Sequence, residues 1–313
     1  MVVVSGSNST PLAKELAEEL KMEHHRLEAR RFPDSEGYFR VPSESIEKIR
    51  SESIILVSNT FPDSGIIETL LLLEALDDVR NGNLSDIRNT DSNLEPVNNL
   101  LLLAIPYFGY SRQDKRFNQG EVISAKAIGK MLASKCDGII VLDLHAPEAL
   151  KNINLPIFFA SSMNEIANYL ENEITPDFIL SPDKGAIERA SEVATQIGCK
   201  FSYLEKTRID AHTIVHKAKD LDVRDAIVVI VDDMISTGGT ICKASDALRL
   251  QGAKKVHAAC THGLFTGGAI ARLDKHVDGV HASNSLLNAR SAISAAPALA
   301  RGINEIIKQI NTK

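Results

Sequence analysis

Short, almost unbroken apolar runs recur along this chain, each followed by a segment with helical periodicity, and that alternation restricts the fold more than any other feature. The runs are Met1 to Val4, Ser53 to Val57, Leu100 to Ile105, Gly138 to Leu142, Phe178 to Ser181, Ala226 to Val231 and Val256 to Thr261. A strand with one wet face alternates apolar and polar residues, whereas an unbroken run fits a strand covered on both faces. Between them, Leu12 to Leu20, Ile66 to Val79 and Ser124 to Leu132 carry apolar residues at i, i+3, i+4 spacing, which predicts crossover helices. Thr10 and Pro11 supply a cap and a first-turn proline for the first of these. The expected class is α/β, with mostly parallel sheets flanked by helices. At 313 residues the chain is long for one domain and comfortable for two. Two similar lobes are therefore expected, over residues 1–155 and 156–313, with the boundary near Asn154-Leu155-Pro156. The helical stretch Ala296 to Ile310 is expected to pack back on one lobe, with the first as the candidate.

The two halves echo each other, since both SGSNSTPLA and SPDKGAIERA read as a polar turn leading from a strand into a helix. Any two βα units share that much, so duplication and coincidence stay open. Asn81 to Asn99 is polar, rich in Asn and Asp and without a period, and reads as a long surface loop or insertion. With 44% hydrophobic and 24% charged residues and no apolar run long enough to span a bilayer, membrane insertion is not expected. The N-terminus lacks a basic segment before its apolar run, so it reads as a strand and the protein as cytoplasmic. Cys136, Cys199, Cys242 and Cys260 are far apart and form no CxxC pair, which suggests buried small hydrophobes. A net charge of -6 argues against a nucleic-acid polymer as partner, because phosphate-backbone affinity needs a surplus of Lys and Arg.

The segment with the most chemistry runs from Ile227 to Thr240. An apolar strand ends in Asp232 and Asp233, then Ser236, Thr237, Gly238, Gly239 and Thr240 open a helix. Glycines let main-chain N–H groups approach an anion, the helix N-terminus adds a partial positive charge, and the hydroxyls add donors. The paired carboxylates suit sugar hydroxyls or a hydrated cation. No Lys follows the glycines, so this is not a Walker loop. An ordinary capped βα turn would account for Gly238 and Thr240 but not for two acids beside an apolar strand.

This segment resembles the phosphoribosyl-pyrophosphate loop of type I phosphoribosyltransferases and of ribose-phosphate pyrophosphokinases. The other motifs decide between them. Arg31-Phe-Pro-Asp-Ser-Glu36, Pro106-Tyr-Phe-Gly-Tyr-Ser-Arg-Gln-Asp-Lys115, Leu142-Asp-Leu-His-Ala-Pro147, Ser181-Pro-Asp-Lys184, Glu205-Lys-Thr-Arg208 and Thr261-His-Gly-Leu-Phe265 occur in the order found in the pyrophosphokinases and run through almost the whole chain. The resemblance implies two phosphoribosyltransferase-like lobes, ATP on the first and ribose 5-phosphate on the second. It also implies transfer of the β,γ-pyrophosphoryl group of ATP to the anomeric hydroxyl, giving phosphoribosyl pyrophosphate and AMP.

Roles follow residue by residue. Arg112, Gln113, Asp114 and Lys115 follow an aromatic turn and offer a guanidinium fork, an amide and an ammonium to a polyphosphate. The family's Arg-Gln pair contacts ATP, although a basic surface loop would look similar. Phe32, Asp34, Ser35 and Glu36 would read alone as a solvated turn; the resemblance makes them an adenine site, with the loop projecting from a neighbouring subunit of a homo-oligomer. His145 closes the strand Ile139 to Leu144, where open α/β sheets place ligands, and resembles the family's histidine that contacts metal and triphosphate. Asp183 is its carboxylate counterpart, the cofactor being Mg²⁺. Lys206 and Arg208, two apart on an extended segment, are the catalytic pair, stabilising the transferring phosphoryl group and the departing AMP. A charged strand edge is the plainer reading of that pair. Asp210 and His212 are candidates for ordering the loop that follows, without chemistry.

The 5-phosphate is expected on Ser236 to Thr240 and the ring hydroxyls near Asp232 and Asp233. Two departures from the family pattern stand out: Ser236 where many members have an aspartate, and Lys184 where a histidine is common. The rival readings are a type I phosphoribosyltransferase, which leaves Arg112, Gln113 and His145 without a purpose, and a catalytically silent regulatory homologue, against which Lys206, Arg208, His145 and both loop aspartates count.

Overall fold

The computed structural model describes residues 1–90, 92–208, 214–218 and 222–312, with backbone alone for 205–208 and 214–218. The chain divides into two compact units, Met1–Ala160 with Ala296–Lys313, and Ser161–Ala295.

The first unit runs β1 (Val2–Ser5), α1 (Thr10–Leu20), β2 (His24–Arg26), β3 (Glu28–Arg31), β4 (Gly37–Arg40), α2 (Ser43–Ser51), β5 (Ile54–Val57), α3 (Asp63–Asn81), β6 (Leu101–Ile105), α4 (Ser124–Ala133), β7 (Gly138–Leu142) and β8 (Ile157–Ala160). Its six-stranded sheet has the order β2-β1-β5-β6-β7-β8 and is parallel throughout, in registers such as Val4↔Leu56 and Leu56↔Leu103. The central strands are fully buried, which is why their sequences are unbroken in apolar character. Val2, Val4, Ile54, Leu56, Leu101, Leu103, Ile139 and Val141 alternate with their neighbours along each strand and share one core with Leu72, Leu76, Ile128 and Leu132 of α3 and α4. Each such side chain, fully buried, stabilises the fold by roughly 1.5–3 kcal/mol.

The second unit runs α5 (Met163–Glu173), β9 (Phe178–Ser181), α6 (Ile187–Ile197), β10 (Lys200–Arg208), β11 (Ile214–Ala218), β12 (Ile227–Ile235), α7 (Gly239–Leu250), β13 (Lys255–Gly263), α8 (Ala269–Leu273), β14 (Gly279–Ser283) and β15 (Ser291–Ile293). Its seven-stranded sheet has the order β11-β10-β9-β12-β13-β14-β15, parallel except for the antiparallel pair β10 and β11. Successive residues of β12 feed opposite cores: Val228 and Ile230 pack with Leu248 of α7, while Val229 and Val231 pack with Ile166 and Leu170 of α5 and Val193 of α6.

The last helix, α9 (Ala296–Asn311), belongs to the first unit and packs on β7, β8 and α1. Gly302 sets that approach, since a Cβ there would lie 2.8 Å from Ile140 Cγ2 and 3.2 Å from Ala160 Cβ. The division between units follows Ala160, not Leu155, because β8 is hydrogen-bonded to β7 and completes the first sheet.

Four local expectations change. The N-cap of α1 is Ser9, without a side-chain cap bond, and the Thr10 hydroxyl donates instead to the Gly6 carbonyl at 2.7 Å. Strand β12 continues past Val231 to Ile235, so both aspartates lie within it, because pairing with β13 extends through Met234↔His262 and Ile235↔Gly263. Strand β7 ends at Leu142, and Asp143, at φ 38, turns the chain away before His145. Cys199 is only half-buried, unlike Cys136, Cys242 and Cys260. The described residues between Gly82 and Asn99 form no helix or strand, and they are tied to the lobe through Arg50, which donates to the Val79 and Glu95 carbonyls, and Arg80, which donates to Asn99 and to Asp137.

Candidate functional site

In the second unit, chemistry gathers at the carboxyl end of β12. Asp233 is buried, its backbone N–H donating to Asp232 Oδ1 at 2.8 Å, and its Oδ2 lies 3.8 Å from Arg189 Nη1 of α6. Burial first, and then the neighbouring Asp233 carboxylate, hold the Asp232 carboxyl well above its ordinary range, with Asp183 adding to the effect. Asp183 stands just past β9, where its Oδ1 accepts the Gly185 N–H at 2.9 Å. Acidic side chains crowded against one cation make a place where a further positive charge or hydroxyl donors are favoured.

Beyond the aspartates the chain turns into α7. Gly238 is the N-cap at φ 75 and offers no side-chain cap, so the first N–H groups of the helix keep no acceptor from that position. A Cβ at Gly238 would meet Leu273 at 2.9 Å, which adds a packing reason to the conformational one. Thr237 and Thr240 are exposed and Ser236 is half-buried. The turn after β13 closes one side: Leu264 and Phe265 donate N–H bonds to the Ile235 carbonyl, the Thr266 N–H donates to the Ser236 carbonyl at 3.0 Å, and the Ser236 and Thr266 hydroxyls are 3.1 Å apart. Arg272 of α8 donates to the Thr237 and Gly267 carbonyls. The result is a hydrogen-bonded, hydroxyl-bearing turn at a helix N-terminus with carboxylates nearby, chemistry that suits an anion. Arg189, Thr266 and Arg272 were not singled out in the sequence; the only signal for the last two was the Thr-Gly-Gly run after Phe265.

Lys206 and Arg208 lie on β10, in register with His216 and Ile214 of β11. Their side chains, and Asp210 and His212 altogether, lie outside the described residues.

The first unit holds the other predicted residues in separate places. Phe32, Asp34, Ser35 and Glu36 form the tip of the β3–β4 hairpin, all exposed. The turn is tight: Phe32 N–H donates to the Glu36 carbonyl at 2.8 Å, Ser35 N–H to the Phe32 carbonyl at 2.9 Å, and Glu36 N–H to Asp34 Oδ1 at 3.0 Å, with Ser35 at φ 74. One Asp34 oxygen is therefore engaged by the turn itself. Tyr107 and Phe108 are buried after β6, while Tyr110, at φ 62, donates its hydroxyl to Asp63 at 2.7 Å. That shaped turn delivers exposed Arg112 and Lys115, with Gln113 and Asp114 half-buried. Ser111 beside them keeps a buried hydroxyl with no hydrogen-bond partner. His145 is exposed past the end of β7. Among the described residues no group of three or more His, Cys, Asp or Glu side chains could hold a metal by itself, and no helix is long and apolar enough to cross a membrane.

Comparison with known proteins accounts for both units. Residues 1–83 match the N-terminal domain of ribose phosphate pyrophosphokinase, and residues 151–282 match the phosphoribosyl transferase domain. A ribose-phosphate pyrophosphokinase of Methanopyrus kandleri is 34% identical, over 98% of this chain and 99% of its own. Another, of Pyrococcus furiosus, is 37% identical over 95% of this chain and 98% of its own. The crystal structure of phosphoribosylpyrophosphate synthetase from Mycobacterium smegmatis superposes with a TM-score of 0.78 at 25% identity, covering 98% of this chain and 99% of that one. The chain belongs to the ribose-phosphate pyrophosphokinase family.

Proposed function

We propose that this enzyme transfers the β,γ-pyrophosphoryl group of ATP to the anomeric hydroxyl of ribose 5-phosphate, releasing AMP and phosphoribosyl pyrophosphate for nucleotide biosynthesis. The observation that carries the reading is kinship with ribose-phosphate pyrophosphokinases over nearly the full length of both chains. The turn at the head of α7 supports it on physical grounds, since it offers donors to a phosphate beside acceptors for hydroxyls.

In this reading the 5-phosphate sits on Ser236, Thr237, Gly238, Gly239 and Thr240, held by main-chain N–H groups and hydroxyls. Asp232 and Asp233 accept from the ring hydroxyls, and Arg189 keeps Asp233 in place. Arg112, Gln113, Asp114 and Lys115 bind the ATP polyphosphate, His145 contacts the triphosphate, and the turn Phe32 to Glu36 binds adenine, projecting from a neighbouring subunit of a homo-oligomer. The anomeric oxygen attacks the β-phosphorus in line with the departing AMP. Lys206 and Arg208 stabilise the charge that spreads over the transferring group and the leaving phosphate, so catalysis is positional and electrostatic. We assign Mg²⁺ to Asp183 and His145, two sparse contacts that the ATP phosphates and water would complete. Held by these residues, the cation would supply charge neutralisation at phosphate oxygens. The unpaired thiols of all four cysteines are in keeping with a cytoplasmic setting.

The test is a steady-state assay with ATP, Mg²⁺ and ribose 5-phosphate in which AMP is resolved from ADP, run beside Lys206→Ala. Sugar-dependent AMP, reduced at least about a hundredfold in the variant, is the expected result. ADP instead of AMP would make the enzyme an ordinary kinase, and nucleotide binding without turnover would sink the reading.

A further inference from the structure

The β3–β4 hairpin carries a cluster of an arginine and two aromatic rings on one face. Arg30 and Tyr38 are directly opposite in the antiparallel register, so their side chains share a face, and Phe32 lies two residues beyond Arg30. The Arg30 guanidinium carbon is 4.1 Å from the Tyr38 ring centroid and 4.9 Å from that of Phe32. The two rings meet edge to face, centroids 5.9 Å apart at 81°. Glu28, two residues earlier on the strand, lies 3.5 Å from Arg30 Nε through one oxygen and takes Arg40 Nε at 2.8 Å through the other. The guanidinium is thus held by a carboxylate and two rings, yet Phe32 remains 40% exposed. Cross-strand contacts of this kind stabilise a hairpin, and here they also order a ring whose remaining surface is left uncovered.

We propose that Arg30 and Tyr38 are positioning residues that fix the angle of the Phe32 ring, so that its uncovered surface is a ready-made stacking platform for the base of the nucleotide donor. The inference rests on the assignment of the turn Phe32 to Glu36 to adenine. A free phenylalanine at a hairpin tip samples several rotamers and would have to be ordered when the base arrives; here the ordering is already done, so more of the stacking energy appears as affinity. Arg30 acts through its charge on the ring faces, a contact that lysine reproduces in part and an uncharged chain of similar length does not. Asp34 and Glu36 read the base edge, and Arg30 and Tyr38 govern only how firmly the ring is presented.

The experiment compares Arg30→Met, Arg30→Lys, Tyr38→Leu and Phe32→Ala in the full chain, measuring kcat, KM for ATP and KM for ribose 5-phosphate, with ATP binding followed by calorimetry. Phe32→Ala is expected to weaken ATP about tenfold or more. Arg30→Met should weaken it about three- to tenfold, and Arg30→Lys should recover most of that loss. Tyr38→Leu should fall between, with KM for ribose 5-phosphate held within about twofold throughout. If Phe32→Ala weakens ATP and Arg30→Met does not, the platform needs no positioning and the inference is overturned. If Phe32→Ala itself leaves ATP binding intact, the adenine assignment fails first. Equal losses in Arg30→Met and Arg30→Lys, or a fall in kcat with KM for ATP unchanged, would make Arg30 a structural residue only and overturn the proposal.

Discussion

The turn after β1 and the turn after β12 begin from similar material, serine and glycine between a buried strand and a helix, and reach opposite states. In the first unit the Ser7 N–H and hydroxyl both donate to the buried carboxylate of Glu68 on α3, each at 2.6 Å. Asn8 Nδ2 donates to the Asn59 carbonyl at 3.0 Å, and Thr10 returns its hydroxyl to Gly6. An internal anion is already in place. In the second unit, Ser236 meets Thr266, while Thr237 and Thr240 stand exposed at a helix whose N-cap is a glycine. There no side chain caps the helix, and Asp232, Asp233 and Asp183 gather at the ends of β12 and β9. Similar βα turns differ in whether another element supplies a carboxylate acceptor, and the turn we propose as the phosphate site is the one without it.

The largest effect that would sharpen this contrast is expected from Gly238→Ala. The added Cβ meets both a left-handed φ of 75 and Leu273 at 2.9 Å. Stability should fall by about 1–3 kcal/mol, and KM for ribose 5-phosphate should rise by at least about tenfold at temperatures where the variant is folded. Urea titration and steady-state kinetics read the two; unchanged KM would mean that this turn does not hold the sugar phosphate. Next comes Glu68→Ala, which leaves the Ser7 donors without their acceptor. A loss of about 1–3 kcal/mol with both KM values within about twofold is expected. Lost activity at full stability would break the comparison, because the first turn would then belong to the site. The smallest effect is expected from Ser236→Asp, which adds a negative charge near Asp232 and Asp233. Ribose 5-phosphate should bind about threefold more weakly at low salt, and the difference should shrink at high salt. An unchanged KM would show that the departure from the family's aspartate has no electrostatic consequence, and a tighter one would reverse the expected sign.

How far these contrasts are legible in the chain differs from element to element. The buried parallel strands stand out because burial on both faces forces apolar residues at every position, and β9 falls on the expected residues, Phe178–Ser181. The hairpin strands β3 and β4 leave no such trace. Glu28 to Arg31 is charged and partly exposed, and its pairing with Gly37–Arg40 is visible only in the register. The family motifs named Asp232, Asp233 and the turn to Thr240, yet nothing local tied Arg189 or Thr266 to them.

By itself the sequence determined the α/β class, the order of buried strands and crossover helices, and the family, since each is written in the periodicity or spacing of near neighbours. Only the tertiary structure decided that β12 runs through its aspartates, that α9 returns to the first unit against Ile140 and Ala160, and that Glu68 reaches one turn while Thr266 meets the other. Those outcomes depend on residues separated by tens or hundreds of positions, brought together by sheet order and close packing, and no local pattern specifies which distant side chain will reach a given donor first.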